Sequence, residues 1–367
     1  MTEVTTLPFT SDWVSPPGDT IADILEEKDW TQVEFAERLQ NTTKFVSQLI
    51  NGKAPITEDT AVRLARVLGS TEKFWLNREA DYRAQLAQIE EKTRLESWVH
   101  WLEQLPVKEL MNQGQITKRR LDSKNKPSVV KDMLSFFGVS SPEGWSTFYV
   151  GKEVAYRRTK EEQSDLGAIT SWLRIGELEA EKRDCPHYHK GTFQKAVKEM
   201  RRFTMLPPAE FLPKIQQLCL ESGVVFVLVP SIPRAHVSGV ARWLNPHKAL
   251  IQLSLYGKSN DRFWFTFFHE VAHILLHGKD AIFLDEWSKG VDVPSLQEEE
   301  ANQWAKEFLI PCKYNSELAP LRSKEKVKVF ADRLGIHPGI VVGRLQHDRI
   351  IDHTWMNELK ETVEPAG

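Results

Sequence analysis

The sequence predicts a mostly α, multidomain chain: an N-terminal helix-turn-helix bundle, a helical connecting region and a C-terminal α+β domain. Three observations carry this. Short helical patterns with clear start and stop residues fill the first part of the chain. Strand-like runs appear only after Leu212, and the most apolar stretch, Phe263–His277, has the period of a helix. A length of 367 residues suits two or three domains and a sizeable core. The punctuation places them at 16–82, 83–205 and 206–367.

Composition narrows the function classes. A net charge of −3 argues against a uniformly cationic nucleic-acid binder, while leaving room for local basic patches. Cys185, Cys219 and Cys312 are too few and too far apart for a disulfide framework, so a reducing cytoplasm is the expected location. The N-terminus has no basic run followed by an apolar stretch, so no secretory signal is expected. The most apolar stretch carries a His-Glu pair in its middle, which excludes a membrane span there.

The first elements read as follows. Thr31 and Glu34 form a capping box that opens a helix over Thr31–Gln40. Asn41-Thr42-Thr43 is a turn, and Lys44–Ile50 is a second helix that ends at Asn51-Gly52. A further helix starts after Thr57 with Glu58 and Asp59 in its first turn and stops at Gly69. Two short helices joined by a turn, with flanking helices, have helix-turn-helix spacing. From Arg38 to Ile56 there are three basic residues and no acidic ones, which concentrates positive charge where such a motif meets phosphate. Thr43, Lys44, Ser47 and Gln48 are the candidates for base edges, Gln48 being suited to adenine. Gln32, Asn51 and Lys53 are the candidates for phosphates. A small bundle used for protein contacts alone is the competing reading.

From Ala80 to about Leu105 the pattern is a longer charged helix with Trp98, Trp101 and Leu102 as apolar positions. Lys108–Lys131 is basic and reads as a solvated, mobile linker, a second DNA contact being the alternative. Helical stretches follow at about Val129–Phe137 and Asp165–Lys182. Val224–Val229, Val237–Leu244 and Ala249–Leu255 are the strand runs. The third of them is the expected sheet edge beside the site, where an extended peptide could add as a strand.

The chemistry concentrates in His269-Glu270-Val271-Ala272-His273. At about 100° per residue, Thr266, His269, Glu270, His273 and His277 share one arc of about 100°. Every other residue from Phe263 to Leu276 is apolar, so this helix is expected to be buried with one polar stripe. Two histidines four apart can share a zinc ion (Zn2+) through neutral imidazole nitrogens, and Glu270 can then take a proton from water. A third ligand is sought in the amphipathic helix Gln297–Pro311, whose apolar face is Ala301, Trp304, Ala305, Phe308 and Leu309. Glu298 lies about 50° from the centre of that face, Glu300 about 110° and Glu299 about 150°. Glu298 is therefore the candidate, Glu300 the fallback, and Asn302 one turn on is positioned to hold a ligand histidine. A hydrogen-bonded polar cluster without metal is the bland alternative. His277 lies about 12 Å along the axis from His269, too far to share the ion, and is expected to meet last-turn carbonyls before a Gly278 cap. His236 and Tyr256 are the candidates for stabilising an oxyanion.

With those residues in place, the chain resembles a known composite. Thr31–Leu39, Gln48–Thr57, Thr60–Gly69 and Phe74–Asn77 look like the Xre-type helix-turn-helix of HigA-family antitoxins. Gln40-Asn41 departs from the usual Gly-hydrophobic turn, and Asn tolerates the left-handed conformation. The C-terminal half resembles ImmA/IrrE-family zinc metallopeptidases in His269–His273 and in Glu298-x-x-Ala-Asn302 through Pro311. Leu334–His347 also looks like the tail of antitoxin-fused members. The resemblance implies a zincin-like C-terminal domain, with Glu298 at the matching ligand position. It also implies a cytoplasmic transcriptional regulator that binds operator double-stranded DNA, expected as a homodimer, and cleaves a protein partner such as a repressor. The alternative is an antitoxin and autorepressor that binds a toxin and its operator without proteolysis. Cys185-Pro-His-Tyr-His189 looks like a metal cluster, but no further ligands lie nearby in sequence and it reads as a polar loop.

Overall fold

The computed structural model describes residues 14–150, 165–254, 259–278, 283–286 and 296–363. The chain divides into two compact units, Met1–Val99 and His100–Gly367. The first is helical; the second carries helices around a small mixed sheet.

The first unit contains α1 (Pro17–Glu27), α2 (Gln32–Arg38), α3 (Thr43–Ile50), α4 (Glu58–Leu68) and α5 (Glu72–Ser97). Four of these helices start on a threonine. The Oγ1 atoms of Thr31, Thr42, Thr57 and Thr71 accept from the amides of Glu34, Phe45, Thr60 and Phe74 at 3.1, 3.1, 3.3 and 3.1 Å. Each bond satisfies one amide that the helix start leaves without a partner. Only half of the expected box at Thr31 forms, because the Glu34 carboxylate turns to Arg38 at 2.8 Å. The helices close over Ile21, Phe35, Val46, Leu49, Leu64 and Trp75, all buried. α1 packs on the end of α3 through Gly18, where a Cβ would lie 1.8 Å from the Ile50 carbonyl oxygen.

In the turn between α2 and α3, Gln40 takes the left-handed conformation with φ +53°, and the Asn41 side chain accepts from the Thr42 amide at 2.9 Å. The position that favours glycine is thus Gln40, one residue before the asparagine expected to adopt it. A side chain there costs about 1 kcal/mol relative to glycine. Gln40→Gly is expected to stabilise the first unit by up to about 1 kcal/mol, offset in part by the unfolded-state freedom of glycine. Chemical denaturation of the two proteins checks this.

Trp101 and Leu102, at the start of the second unit, are buried on a 3-10 turn (Val99–Gln104). There follow α6 (Val107–Asn112), α7 (Lys126–Phe137), α8 (Leu166–Glu181), α9 (Lys190–Met200) and α10 (Pro208–Glu221). The sheet has strands β1 (Val224–Leu228), β2 (Val237–Asn245), β3 (Lys248–Leu253) and β4 (Phe283–Glu286) in the order β1-β3-β2-β4. β1 runs parallel to β3; β2 is antiparallel to both β3 and β4. Contrary to the sequence expectation, β3 is interior and both its edges are occupied, so it cannot accept a peptide strand. β4 lies at the end of the sheet beyond β2.

Alternation along the strands separates two faces. Phe226, Ile251 and Ala241 lie abreast and join the core with Phe263 and Phe267 of α11 (Asn260–Leu276). On the opposite face Gln252 Nε2 donates to the Trp172 carbonyl at 2.7 Å, and Arg242 donates to Glu177 and to the Leu173 carbonyl, both at 2.7 Å. α8 therefore covers the sheet within the second unit, while residues 83–99 of the expected connecting region lie in the first. The basic stretch 108–131 makes contacts of its own. Ile116 within it is buried, and Arg119 pairs with Asp132 at 3.1 Å. The core is completed by α12 (Leu296–Leu309), α13 (Lys324–Leu334) and α14 (Pro338–His347). Arg201 clamps two helix ends, donating to the carbonyls of Phe308, Leu309 and Leu334 at 2.8, 2.9 and 3.1 Å.

Candidate metal centre

α11 is enclosed by the sheet, α12 and α14, and from Phe263 onward every side except one stripe is apolar. On that stripe His269 and His273 are 1% exposed and Glu270 is fully buried. α12 turns Ala301, Ala305 and Leu309 into the core, with Trp304 and Phe308 stacked beside them at 4.7 Å. The same face carries Glu298 inward. His269 Nε2 lies 3.2 Å and His273 Nε2 3.5 Å from the Glu298 carboxylate, and the two Nε2 atoms are 3.0 Å apart. All three ligand atoms fall within 4.8 Å of one another. Glu300, the fallback, faces elsewhere and pairs with His277 at 3.2 Å.

The donor set fits a divalent cation. Burial, then the neighbouring His269 and His277, depress the His273 pKa from 6.5 to about 2, which keeps its ring neutral and able to coordinate. Two imidazole nitrogens and one carboxylate are the three-ligand pattern of zinc sites that leave a position open. Linkage fixes the sign of the pH dependence. A histidine that folds neutral contributes stability that is present above pH 6.5 and lost as pH falls toward its folded value. Below about pH 6 the metal-free protein is expected to lose stability through this group, by on the order of 1 kcal/mol per pH unit. Thermal unfolding in a chelator between pH 7.5 and 5 measures it.

The surroundings hold the candidate ligands in place. Asn302 Oδ1 lies 3.1 Å from His269 Nδ1. His277 differs from expectation. It is itself the helix C-cap, in place of Gly278, and its Nδ1 lies 2.9 Å from His273 Nδ1 rather than on a carbonyl. Sequence reasoning missed Gly239. Glu270 packs against this residue of β2, where an added Cβ would lie 2.5 Å from Glu270 Oε1. A glycine within a β-rich run, between Val237 and Val240, was the available signal of a close approach. His236 precedes β2 with φ +50°, half-buried. Tyr256 lies outside the described residues. In the Cys185–His189 loop, His187 stacks on His247 at 4.3 Å and His189 caps α9. Among the described residues these do not form a converging ligand group.

In the first unit, Gln32, Thr43, Lys44, Ser47, Gln48, Asn51 and Lys53 are all exposed. Five of these lie on α2 and α3. The Asn51 amide donates one N–H to the Ser47 carbonyl at 2.7 Å, which leaves its second N–H for an outside acceptor.

Two family matches agree with this division. Residues 21–75 match the helix-turn-helix family, and residues 231–346 match the IrrE N-terminal-like domain, a metallopeptidase-like family. The chain joins an Xre-type helix-turn-helix domain to an IrrE-like domain. The IrrE-like match contains α11 and α12, and with them the whole His/Glu cluster. The chain is 38% identical over 61 residues to the uncharacterized HTH-type transcriptional regulator YddM of Escherichia coli K12, spanning 17% of this chain and 65% of that protein. It is 42% identical over 65 residues to the uncharacterized HTH-type transcriptional regulator YbaQ of the same strain, spanning 17% of this chain and 58% of that one. The chain thus spans less than two thirds of these curated relatives. A crystal structure from Nostoc punctiforme, of a chain assigned as an antidote protein of a plasmid maintenance system, is 36% identical; the match covers 23% of this chain and 94% of that one, with a TM-score of 0.22. Among the described residues no helix is long and apolar enough to cross a membrane.

Proposed function

We propose that this protein is a DNA-binding transcriptional regulator whose IrrE-like domain is a zinc endopeptidase acting on a partner protein, with a repressor as the expected class of substrate. The observation that carries the reading is the convergence of His269, His273 and Glu298 within 4.8 Å, with the buried Glu270 between the two histidines in sequence. A zinc ion held there would supply Lewis acidity toward a peptide carbonyl and toward water. Glu270 would take the proton of the attacking water on its carboxylate and deliver it to the leaving amine nitrogen. Gly239 lets β2 approach Glu270 closely, and Asn302 holds the ring of His269. Glu270 is fully buried, so its carboxylate lies out of bulk water, which strengthens each of these interactions.

In the first unit, α3 would enter the major groove of operator DNA with Thr43, Lys44, Ser47 and Gln48 toward the bases, while Gln32, Asn51 and Lys53 meet phosphates. A two-fold operator read by a homodimer and a cytoplasmic location complete the proposal. The test is capture of partners from the host with the Glu270→Gln protein as bait, followed by incubation of each with wild type. Metal-dependent cleavage of a captured protein is expected. A toxin that is captured and left intact would instead favour the antitoxin reading, in which the site serves binding alone.

A further inference from the structure

The stripe on α11 contains a third histidine that the proposed reaction does not use. His277 Nδ1 lies 2.9 Å from His273 Nδ1, and His277 Nε2 lies 3.2 Å from the Glu300 carboxylate. The His277 side chain is 4% exposed, while that of Glu300 is 52% exposed. The chain of contacts therefore runs from the cluster to the surface of α12.

Hydrogen-bond logic assigns its direction. The Nε2 atom of His273 faces Glu298 and His269, so a metal bound there takes the Nε2 lone pair and leaves the proton on Nδ1. That Nδ1–H can donate only if His277 Nδ1 accepts. His277 must then carry its own proton on Nε2, where the Glu300 carboxylate accepts it. A carboxylate is acceptor-only when ionised, so Glu300 selects the His277 tautomer, and His277 selects that of His273. Asn302 Oδ1 does for His269 Nδ1 in one step what His277 and Glu300 do for His273 in two.

We infer that His277 is a positioning residue for the metal centre: it holds the His273 ring with Nε2 toward the ion, and Glu300 anchors it in the accepting tautomer. The inference rests on the proposal that His269, His273 and Glu298 bind zinc. Partners of this kind change metal affinity by roughly 10- to 100-fold when removed. They do so without touching the ion.

The test titrates zinc alone into the metal-free full-length protein against a chromophoric chelator, with thermal unfolding of each metal-free variant alongside. His277→Ala is expected to weaken zinc binding by roughly 10- to 100-fold. In His277→Asn the side-chain oxygen stands near the place of the ring Nδ1, and most of the affinity is expected to return. Glu300→Gln is expected to show a smaller loss than His277→Ala. Zinc affinity in His277→Ala equal to wild type would overturn the inference while leaving the zinc site itself intact. An equal loss in His277→Asn and His277→Ala, tracking a fall in the unfolding temperature of both, would also overturn it by showing a packing role. Failure of wild type to bind zinc would instead remove the reading on which the inference depends.

Discussion

Glu270→Gln is expected to abolish measurable cleavage of the partner protein while leaving zinc bound at near wild-type affinity. The substitution keeps the shape of the side chain and removes only its ability to take up a proton. Positioned acid–base groups contribute about 10²- to 10⁴-fold. Glu270 is asked both to take a proton from water and to give one to the amine, so a loss at the upper end is expected. The proposed ligands His269, His273 and Glu298 are untouched, which is why metal content is the control. Equal cleavage rates for the variant and wild type, with zinc present in both, would remove Glu270 from the mechanism.

Gly239→Ala is expected to have a large effect from a single methyl group. Its Cβ would lie 2.5 Å from Glu270 Oε1, 2.8 Å from Leu253 Cδ2 and 2.9 Å from Thr266 Cγ2. The three atoms are side-chain ends on α11 and β3, and Glu270 and Leu253 are buried, so room for the methyl group has to come from shifting them. Overpacking of this kind costs about 1–3 kcal/mol. The least hindered response is displacement of the Glu270 carboxylate, which would lower cleavage by at least about tenfold, since small misplacements of reacting groups are costly. Zinc affinity is expected to fall much less than activity, because neither histidine touches Gly239 in the close contacts of that position. Wild-type stability together with wild-type cleavage in this variant would show that β2 does not set the position of Glu270.

Much of this arrangement was legible in the sequence for a physical reason. A helix that is apolar on all sides but one has a single way to be buried, and its polar stripe must then face something polar. The angular position of Glu298 on the next helix distinguished it from Glu299 and Glu300 because amphipathic helices turn their faces predictably. Asn302, one turn on, follows from the same geometry. In the first unit, the threonines that precede α2 and α4 mark helix starts locally, within four residues, which is why those boundaries read well.

What the sequence concealed depends on contacts far apart along the chain. β2 and β3 form a local hairpin, but the insertion of β3 between β1 and β2 follows from pairing over longer separations, so β3 was expected at an edge. The cover that α8 gives the sheet rests on Arg242 and Gln252, whose partners Glu177 and Trp172 lie far upstream, and nothing near those residues announces it. For His277, distance along the helix axis correctly separated it from His269. Its neighbour at i−4 is His273, however, and that contact decides its role. In the turn before α3, Asn41 uses its side chain on the next amide and leaves the left-handed conformation to Gln40.

The central claim is that His269, His273 and Glu298 together form the metal centre on which the proposed chemistry depends. Zinc content after equilibrium dialysis of the full-length protein tests it most directly. Wild type and Glu270→Gln are expected to retain about one zinc ion per chain, while His269→Ala, His273→Ala and Glu298→Ala each retain close to none, since removing one of three ligands leaves too few to compete with buffer. Undiminished zinc in all three ligand variants, or none in wild type, would contradict it.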